Sequence, residues 1–181
     1  WVGLLLALFL RLALIPNPGF EADISFWKAW GLAVVDKGII EGLKVSNSNY
    51  PTPFMYVLGT MVWMYKLFAD PHNFNAFWNN SNLLFLTISK MLPILADFGI
   101  AAIILRLGTP LLALVYLLNP ISLIDGAWWG QVDSLGLFIF LLAEVFALKK
   151  MPLLAGVIYM AGVMTKLQNM IYGPVFFLFI W

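Results

Sequence analysis

The sequence LLFLTISKMLPILADFGIAAIIL, residues 83–105, is almost entirely apolar and is long enough to cross a lipid bilayer as a helix. A spanning helix takes about 20 apolar residues. The same pattern marks four more candidate spans along the chain: residues 1–15, 107–124, 134–148 and 151–167. We expect residues 1–15 to be a span without its first turn and residues 170–181 to start a further helix, in a piece of a longer protein. The pattern predicts an all-α fold, a polytopic transmembrane helical bundle.

The composition favours the same class. The chain is 62% hydrophobic and 10% charged, whereas soluble domains carry about 25% charged and about 45–50% apolar residues. So few polar side chains do not cover a globular surface in water, and we expect an integral membrane protein among membrane lipids. A net charge of +1 supplies no basic field for nucleic acid. With no cysteine and a single histidine, His72, we predict no metal site.

Residues 17–50 are expected to form an outer loop that contains an interfacial helix over 24–42. Its large apolar side chains recur at helical spacing, as expected for a helix lying on the membrane surface: Ile24, Trp27, Trp30 and Val34. Polar residues occupy its other faces: Ser25, Lys28, Asp36, Lys37 and Glu41. An ordinary amphipathic linker is the alternative. Residues 53–68 are predicted to be interfacial or re-entrant.

The basic residues predict the orientation in the membrane. Cytoplasmic loops collect Lys and Arg, which places Arg106 and Lys149-Lys150 inside and residues 125–133 outside. If the acidic stretch 21–23 shares a site with residues 125–133, an even number of crossings separates them. Three apolar segments lie between, so we expect 53–68 not to cross.

Two polar stretches interrupt the apolar chain and carry the candidate chemistry. An ionised carboxylate is costly at membrane depth and is usually there for a function. In the first stretch, Glu21 and Asp23 precede the interfacial helix, and Asp23 is a candidate general base toward a hydroxyl. The alternative is that Asp23 only caps the helix.

The second stretch, DGAWWGQVD at 125–133, combines carboxylates, an amide and indoles. Such groups hydrogen-bond sugar hydroxyls and stack on pyranose faces, which predicts a sugar or acceptor site formed by these residues together with Glu21 of the first stretch: Asp125, Trp128, Trp129, Gln131 and Asp133. In the alternative, the indoles are interfacial anchors and Asp133 caps a helix beginning at Ser134.

Two cations are candidates for holding a lipid phosphate. Lys166 follows Lys150 by about 24 Å of helix, which places it toward the outer side, and Gln168 close by is a further candidate for binding the phosphate. Arg11 lies one turn before the outer end of its span. Either side chain could instead reach the surface by snorkelling.

Two acids lie inside predicted spans. Asp97 is expected to pair with a polar group on a neighbouring helix, and Glu144 to reach the headgroups or Lys149. A transporter or flippase that uses Asp97, Asp125 and Lys166 is the alternative function.

Several motifs, taken in order, resemble the GT-C membrane glycosyltransferases. The first outer loop of that family is similar to GFEADISFW at 19–27 and NYPTP at 49–53. The segments LNPISLIDG at 118–126 and TKLQNMIYGP at 165–174 resemble motifs of its dolichyl-phosphate-glucose-dependent members. The segment WGQVD at 129–133 resembles a motif of prokaryotic mannosyltransferase-like relatives. Phe20 replaces an acid of the eukaryotic glucosyltransferases, and two later histidines are missing.

The resemblance implies the N-terminal part of the GT-C module, with interfacial helices in the first outer loop. It also implies an inverting transfer of a hexose from a polyprenyl- or dolichyl-phosphate donor to a hydroxyl of a glycan or glycolipid. Asp23 would be the base, at the extracytoplasmic or lumenal face of the plasma or endoplasmic reticulum membrane. No cofactor besides the lipid-phosphate sugar is expected, and the divalent metal of oligosaccharyltransferase relatives is not favoured.

Overall fold

The computed structural model describes residues 1–180, with side-chain surroundings given through residue 178, and this part of the chain contains helices and no strands. The α-helices are α1 Val2–Leu14, α2 Glu21–Ser46, α3 Thr52–Lys66, α4 Phe74–Phe77, α5 Leu83–Leu107, α6 Pro110–Leu117, α7 Pro120–Ser122, α8 Asp133–Leu148, α9 Pro152–Val163 and α10 Gly173–Ile180. A π-helix covers Leu123–Trp129 and a 3₁₀-helix covers Leu167–Tyr172. The predicted all-α class is confirmed, and Trp181, the end of the predicted segment 170–181, lies outside the described residues.

One helix of the described chain, α5, is long and apolar enough to cross a membrane by itself. A second candidate span consists of α6 and the segment Pro120–Trp129, which are bent by 49° relative to each other. Two other apolar helices, α1 and α9, are shorter than a full span. The structure thus contains one or two helices of spanning length, and the polytopic bundle stays a prediction.

The predicted helix over 107–124 is broken in the structure. It ends at Leu117, and a new helical segment begins at Pro120. Proline has no N–H for a helix interior but fits the first helical position, and the Asn119 side chain accepts a hydrogen bond from the Ile121 N–H at 2.9 Å. The prediction of one continuous span was wrong because this Asn-Pro pair ends one helix and begins the next.

The predicted interfacial helix is longer than expected and pairs closely with α3. A break at Gly38, with φ 77 and ψ 171, interrupts α2. Before that break the two helices touch so closely that a Cβ on Gly31 would lie 2.6 Å from the Leu58 carbonyl oxygen. Trp27 is buried between them, with its ring 6.0 Å from that of Phe54.

The assignment of Lys28 to a polar helix face was wrong. Its side chain is fully buried, its Nζ donates to the Asn79 carbonyl at 3.0 Å, and the Phe85 ring lies 5.2 Å away. The segment between α3 and α5, which contains Asn79, covers this side of α2 rather than leaving it in solvent.

A buried ion pair connects α1 to α5. Arg11 and Asp97 are both 0% exposed, with Nη2 and Oδ2 3.0 Å apart. Arg11 also donates to the Leu117 carbonyl at 2.7 Å, and Tyr116 donates to Asp97 at 2.7 Å. The expectation that Asp97 pairs with a neighbouring helix is confirmed, whereas the placement of Arg11 at a lipid phosphate was wrong because its donors are used inside the protein.

Candidate functional site

The two acidic stretches meet at one end of the helix bundle. The Asp23 carboxylate oxygen Oδ2 accepts a hydrogen bond from Trp129 Nε1 at 3.0 Å and a second from Gln131 Nε2. Asp23 and Gln131 are 108 positions apart in sequence. Residues 21–23 and 125–133 therefore lie together, as the shared site considered from the sequence requires, and the side of a membrane on which they lie stays a prediction.

The turn before α2 allows this meeting. The Asn17 side chain accepts from the Gly19 N–H at 2.9 Å, and Gly19 has φ +65. A Cβ at Gly19 would lie 2.4 Å from the Trp129 carbonyl oxygen, so only glycine lets the two loops approach this closely. The chain then enters α2 with Asp23 in the first helical turn.

Capping does not explain Asp23. The residue at the N-cap position is Phe20, and no side chain caps α2. The side chains that hydrogen-bond the Asp23 carboxylate come instead from the segment between Trp129 and Gln131. A carboxylate in the first turn is still favoured by the positive end of the helix dipole.

The π-helix positions Trp129 and Gln131. At its end, the Asp125 carbonyl accepts from the N–H groups of both Gly130 and Gln131 at 3.0 Å, and Gly130 has φ 92. This turn brings the Trp129 indole and the Gln131 amide to Asp23. π-Helical turns of this kind are rare and occur frequently at functional sites.

Lys166 completes the cluster. Its Nζ lies 2.5 Å from Asp133 Oδ1 and 3.5 Å from Gln131 Oε1. The Gln131 amide therefore donates to Asp23 and accepts from Lys166, which links the candidate base to the candidate cation. Asp133 is the first residue of α8 and makes no capping hydrogen bond, so the alternative in which it only caps that helix was wrong.

A pocket of about 270 Å³ opens beside Lys166 and Gln168. Its other wall is formed by Asn49 and Tyr50, at the end of the predicted outer loop, and by Pro51 directly after it. Burial, and then the charges of Asp23 and Asp133, raise the pKa of Tyr50 to about 12. Tyr50 thus keeps its proton at neutral pH and presents a hydroxyl donor beside the acidic cluster.

Other predicted site residues lie around this cluster or away from it. Glu21 and Trp128 are exposed, and Asp125 is half-buried in the π-helix. Arg11 and Asp97 form the separate buried pair between α1 and α5. The side chains that contact one another in the cluster are Asp23, Trp129, Gln131, Asp133 and Lys166.

Lys90 contributes to the site, although it is not among the residues predicted from the sequence. This lysine of α5 is fully buried, and its Nζ donates to the Asn17 carbonyl at 2.6 Å and to the Trp128 carbonyl at 2.7 Å. It therefore ties together the two loops that carry Asp23 and Trp129. A cation in the middle of an apolar run is the signal that could have revealed it.

Neither protein-family models, nor curated proteins, nor solved structures provide a match to this chain. Within residues 1–180, no group of three or more acidic or histidine side chains is arranged to hold a metal ion. The metal-free site stays a prediction, and the candidate function rests on the residues and their geometry.

Proposed function

We propose that this protein is an inverting glycosyltransferase that moves a hexose from a polyprenyl- or dolichyl-phosphate carrier to a hydroxyl of a glycan or glycolipid. The observation that carries the proposal is the Gln131 amide, which contacts the Asp23 carboxylate on one side and the Lys166 ammonium on the other. Gln131 thus holds a candidate base and a candidate phosphate-binding cation close together. This arrangement fits a reaction in which a hydroxyl attacks the sugar as a phosphate leaves.

Asp23 is the general base in this mechanism. The indole of Trp129 and the amide of Gln131 both donate to Oδ2, and no hydrogen bond to Oδ1 is present in the described part of the chain. Oδ1 accepts the proton of the acceptor hydroxyl as the hydroxyl oxygen forms its bond to sugar C1. The bond from C1 to the phosphate oxygen breaks, its electron pair leaves with the lipid phosphate, and the configuration at C1 inverts.

Lys166 stabilises the leaving phosphate. A lysine ammonium has three N–H donors, and in the structure two of its contacts are with Asp133 and Gln131. The side chain is 17% exposed, on the wall of the pocket. The remaining donor and the adjacent Gln168 can meet a phosphate there, and the exposed Trp128 and the acids Glu21 and Asp125 border the space for the sugars.

The proposal places the chain in a membrane as the N-terminal part of a polytopic GT-C bundle, with this end on the extracytoplasmic or lumenal side. The unusually apolar composition and the spanning length of α5 support it. Because the chain has no cysteine, single cysteines at Glu21, Trp128 and Lys150 test the orientation. An impermeant thiol reagent added outside should label the first two and spare the third. If the reagent labelled only one of the cysteines at positions 21 and 128, the two stretches would not share a site on the outer side.

The transporter alternative finds less support. Asp97 is held by Arg11 and Tyr116, while Lys166 contacts Asp133. A proton or solute pathway needs ionisable groups that can exchange partners near the middle of the membrane, and a fully buried, saturated pair does not offer one.

Replacing Asp23 by asparagine tests the proposed reaction. General-base catalysis contributes about 10²–10⁴ in rate, so the full-length protein in its membrane should lose at least the lower part of that range with a polyprenyl-phosphate hexose donor. Asparagine keeps an oxygen that accepts from Trp129 and Gln131, so the fold should persist. Glu21→Gln is the matched control, since Glu21 is exposed two residues away. Near-normal turnover of Asp23→Asn would overturn the assignment, and loss in Glu21→Gln alone would move the base to that residue.

A further inference from the structure

A second site lies between α5 and α8, toward the end of the bundle away from Asp23. A groove of about 520 Å³ runs between the two helices. Its walls are mainly apolar and include Ala102, Ile103, Phe138 and Leu142, and its lining also contains two cations, Arg106 and Lys149. The proposed glycosyl transfer takes place at the other end of these helices and does not involve this apolar groove or its two cations.

The geometry of α5 and α8 gives the groove one closed and one charged end. A Cβ on Gly99 would lie 2.5 Å from the Phe138 ring, so the helices are in tight contact there. Arg106 follows Gly99 by about 10 Å along α5, at 1.5 Å of rise per residue. Lys149 directly follows the last residue of α8, Leu148. The groove therefore extends from a closed apolar contact to a pair of positive charges.

Those two cations have no acidic partner in residues 1–180. Arg106 and Lys149 are exposed, and neither forms a salt bridge with a described residue. The Lys149 ammonium lies 5.5 Å from the centre of the Phe146 ring, which itself lines the groove. The nearest acid along α8, Glu144, is buried without a hydrogen-bond partner among these residues. The charge at the mouth is thus complementary to an anion.

We propose that this groove binds an anionic glycerophospholipid, with an acyl chain along α5 and α8 and the headgroup phosphate at Arg106 and Lys149. Basic pockets between transmembrane helices bind acidic lipid headgroups in this way. The occupant differs from the glycosyl donor because its phosphate lies at the end of α5 and α8 opposite Lys166. The inference rests on the membrane placement in the proposed function but does not depend on glycosyl transfer.

The test measures lipid binding to the full-length protein purified in detergent. Phosphatidylglycerol and phosphatidylcholine of the same short chain length are titrated, and bound lipid is counted by native mass spectrometry. Each basic group near an anionic lipid contributes about fivefold in affinity. The variant Arg106→Gln/Lys149→Gln should therefore lose about 25-fold for phosphatidylglycerol, with little change for phosphatidylcholine.

Two further variants separate the apolar slot from general charge. Ala102→Trp keeps both cations but fills the groove, and it should weaken binding of both lipids. Lys37→Gln/Lys66→Gln removes the same charge from exposed positions on α2 and α3 and should leave binding unchanged. Glycerol 1-phosphate, which has the headgroup but no acyl chain, should not compete.

Three results would overturn the proposal: no preference for phosphatidylglycerol in the wild type, an unchanged preference after loss of both cations, or an equal loss in the Lys37 and Lys66 control. The two proposals fail separately. Asp23→Asn should keep the lipid preference, and Arg106→Gln/Lys149→Gln should keep turnover that depends on Asp23 in phosphatidylcholine vesicles.

Discussion

Two ion pairs of this protein have similar lengths, but one is buried and the other is partly exposed to solvent. Arg11 and Asp97 lie 3.0 Å apart with both side chains 0% exposed, whereas Lys166 and Asp133 lie 2.5 Å apart with side chains 17% and 50% exposed. The first pair is surrounded by protein acceptors and a tyrosine hydroxyl. The second lies on the wall of a pocket.

The difference shows how the surroundings of an ion pair separate a structural pair from a candidate ligand-binding pair. Inside the protein, each charge of a pair depends on the other, because an unpaired buried charge is very costly. At a pocket, water compensates either partner, so a pair contributes little to stability and can exchange one partner for a ligand. We therefore expect stability to depend on Arg11 and ligand binding to depend on Lys166.

The largest effect on stability is expected from Arg11→Met. It leaves the Asp97 carboxylate buried without its cation, and breaking a buried pair costs about 3–5 kcal/mol. Denaturant unfolding of the solubilised protein measures the loss. Arg11→Met/Asp97→Asn removes the uncompensated charge while keeping an acceptor for Tyr116, and it should regain much of the stability. If the double variant is no more stable than Arg11→Met, the ion pair is not what stabilises this contact.

A smaller effect, on turnover, is expected from Lys90→Met. Lys90 has no acidic partner in the part of the chain that the structure describes, and it ties the loops that carry Asp23 and Trp129 through two carbonyl groups. Loss of that tie should lower kcat at least about tenfold, since small misplacements of reacting groups are costly.

The same change made in Asp23→Asn distinguishes positioning from general damage. If Lys90 acts through Asp23, adding Lys90→Met to Asp23→Asn should cost much less than it does in the wild type, because residues that act as one unit are not additive. Equal costs in both backgrounds would make Lys90 a structural residue only.

Lys166→Met should change the free energy of unfolding by less than about 1 kcal/mol, as for a partly exposed ion pair. It should, however, weaken binding of the polyprenyl-phosphate donor, because the phosphate loses its cation. Donor titration and denaturant unfolding on the same preparation measure both quantities, with the exposed Lys37→Met as the charge-matched control. If Lys166→Met lost as much stability as Arg11→Met and donor affinity did not change, the Lys166–Asp133 pair would be structural, like the Arg11–Asp97 pair.

The smallest effect concerns Lys28, a buried cation that has aromatic neighbours. Burial lowers the pKa of Lys28 from 10.5 to about 8. Between those values the unfolded chain binds more protons than the folded one, so Lys28 makes the free energy of unfolding rise with pH. Unfolding at pH 7.5 and pH 9.5 should show a smaller rise in Lys28→Met than in the wild type, with Lys37→Met as the control. An identical rise in all three would show that Lys28 is not the titrating group.

The sequence predicts much of the fold because long apolar runs and helical spacing of large apolar side chains indicate where helices lie. The helices around residues 24–42, 53–68 and 83–105 lie close to their predicted positions. The break at Asn119-Pro120 was visible as a dipeptide, yet the apolar residues on both sides favoured one span. Hydropathy averages over a window, whereas a helix end depends on single backbone groups.

Rotation of each helix about its axis was the information that the sequence lacked. Asp97 was expected to need a partner, but nothing local indicates that Arg11, 86 positions away, faces it. The same uncertainty left Lys28 on a polar face and Lys90 unnoticed. Asp23, Gln131 and Lys166 were selected from their chemistry, and only the folded chain shows that one amide joins them.

The π-helix Leu123–Trp129 makes the site more sensitive to chain length than to most changes of side chain. Deleting one residue would let this segment close as an ordinary α-helix, and each residue of an α-helix turns the chain by about 100° and advances it by about 1.5 Å. Trp129 and Gln131 would then be rotated away from Asp23, even though every functional side chain was still encoded. A loss of one codon here should therefore be far less tolerated than most substitutions in the same seven positions.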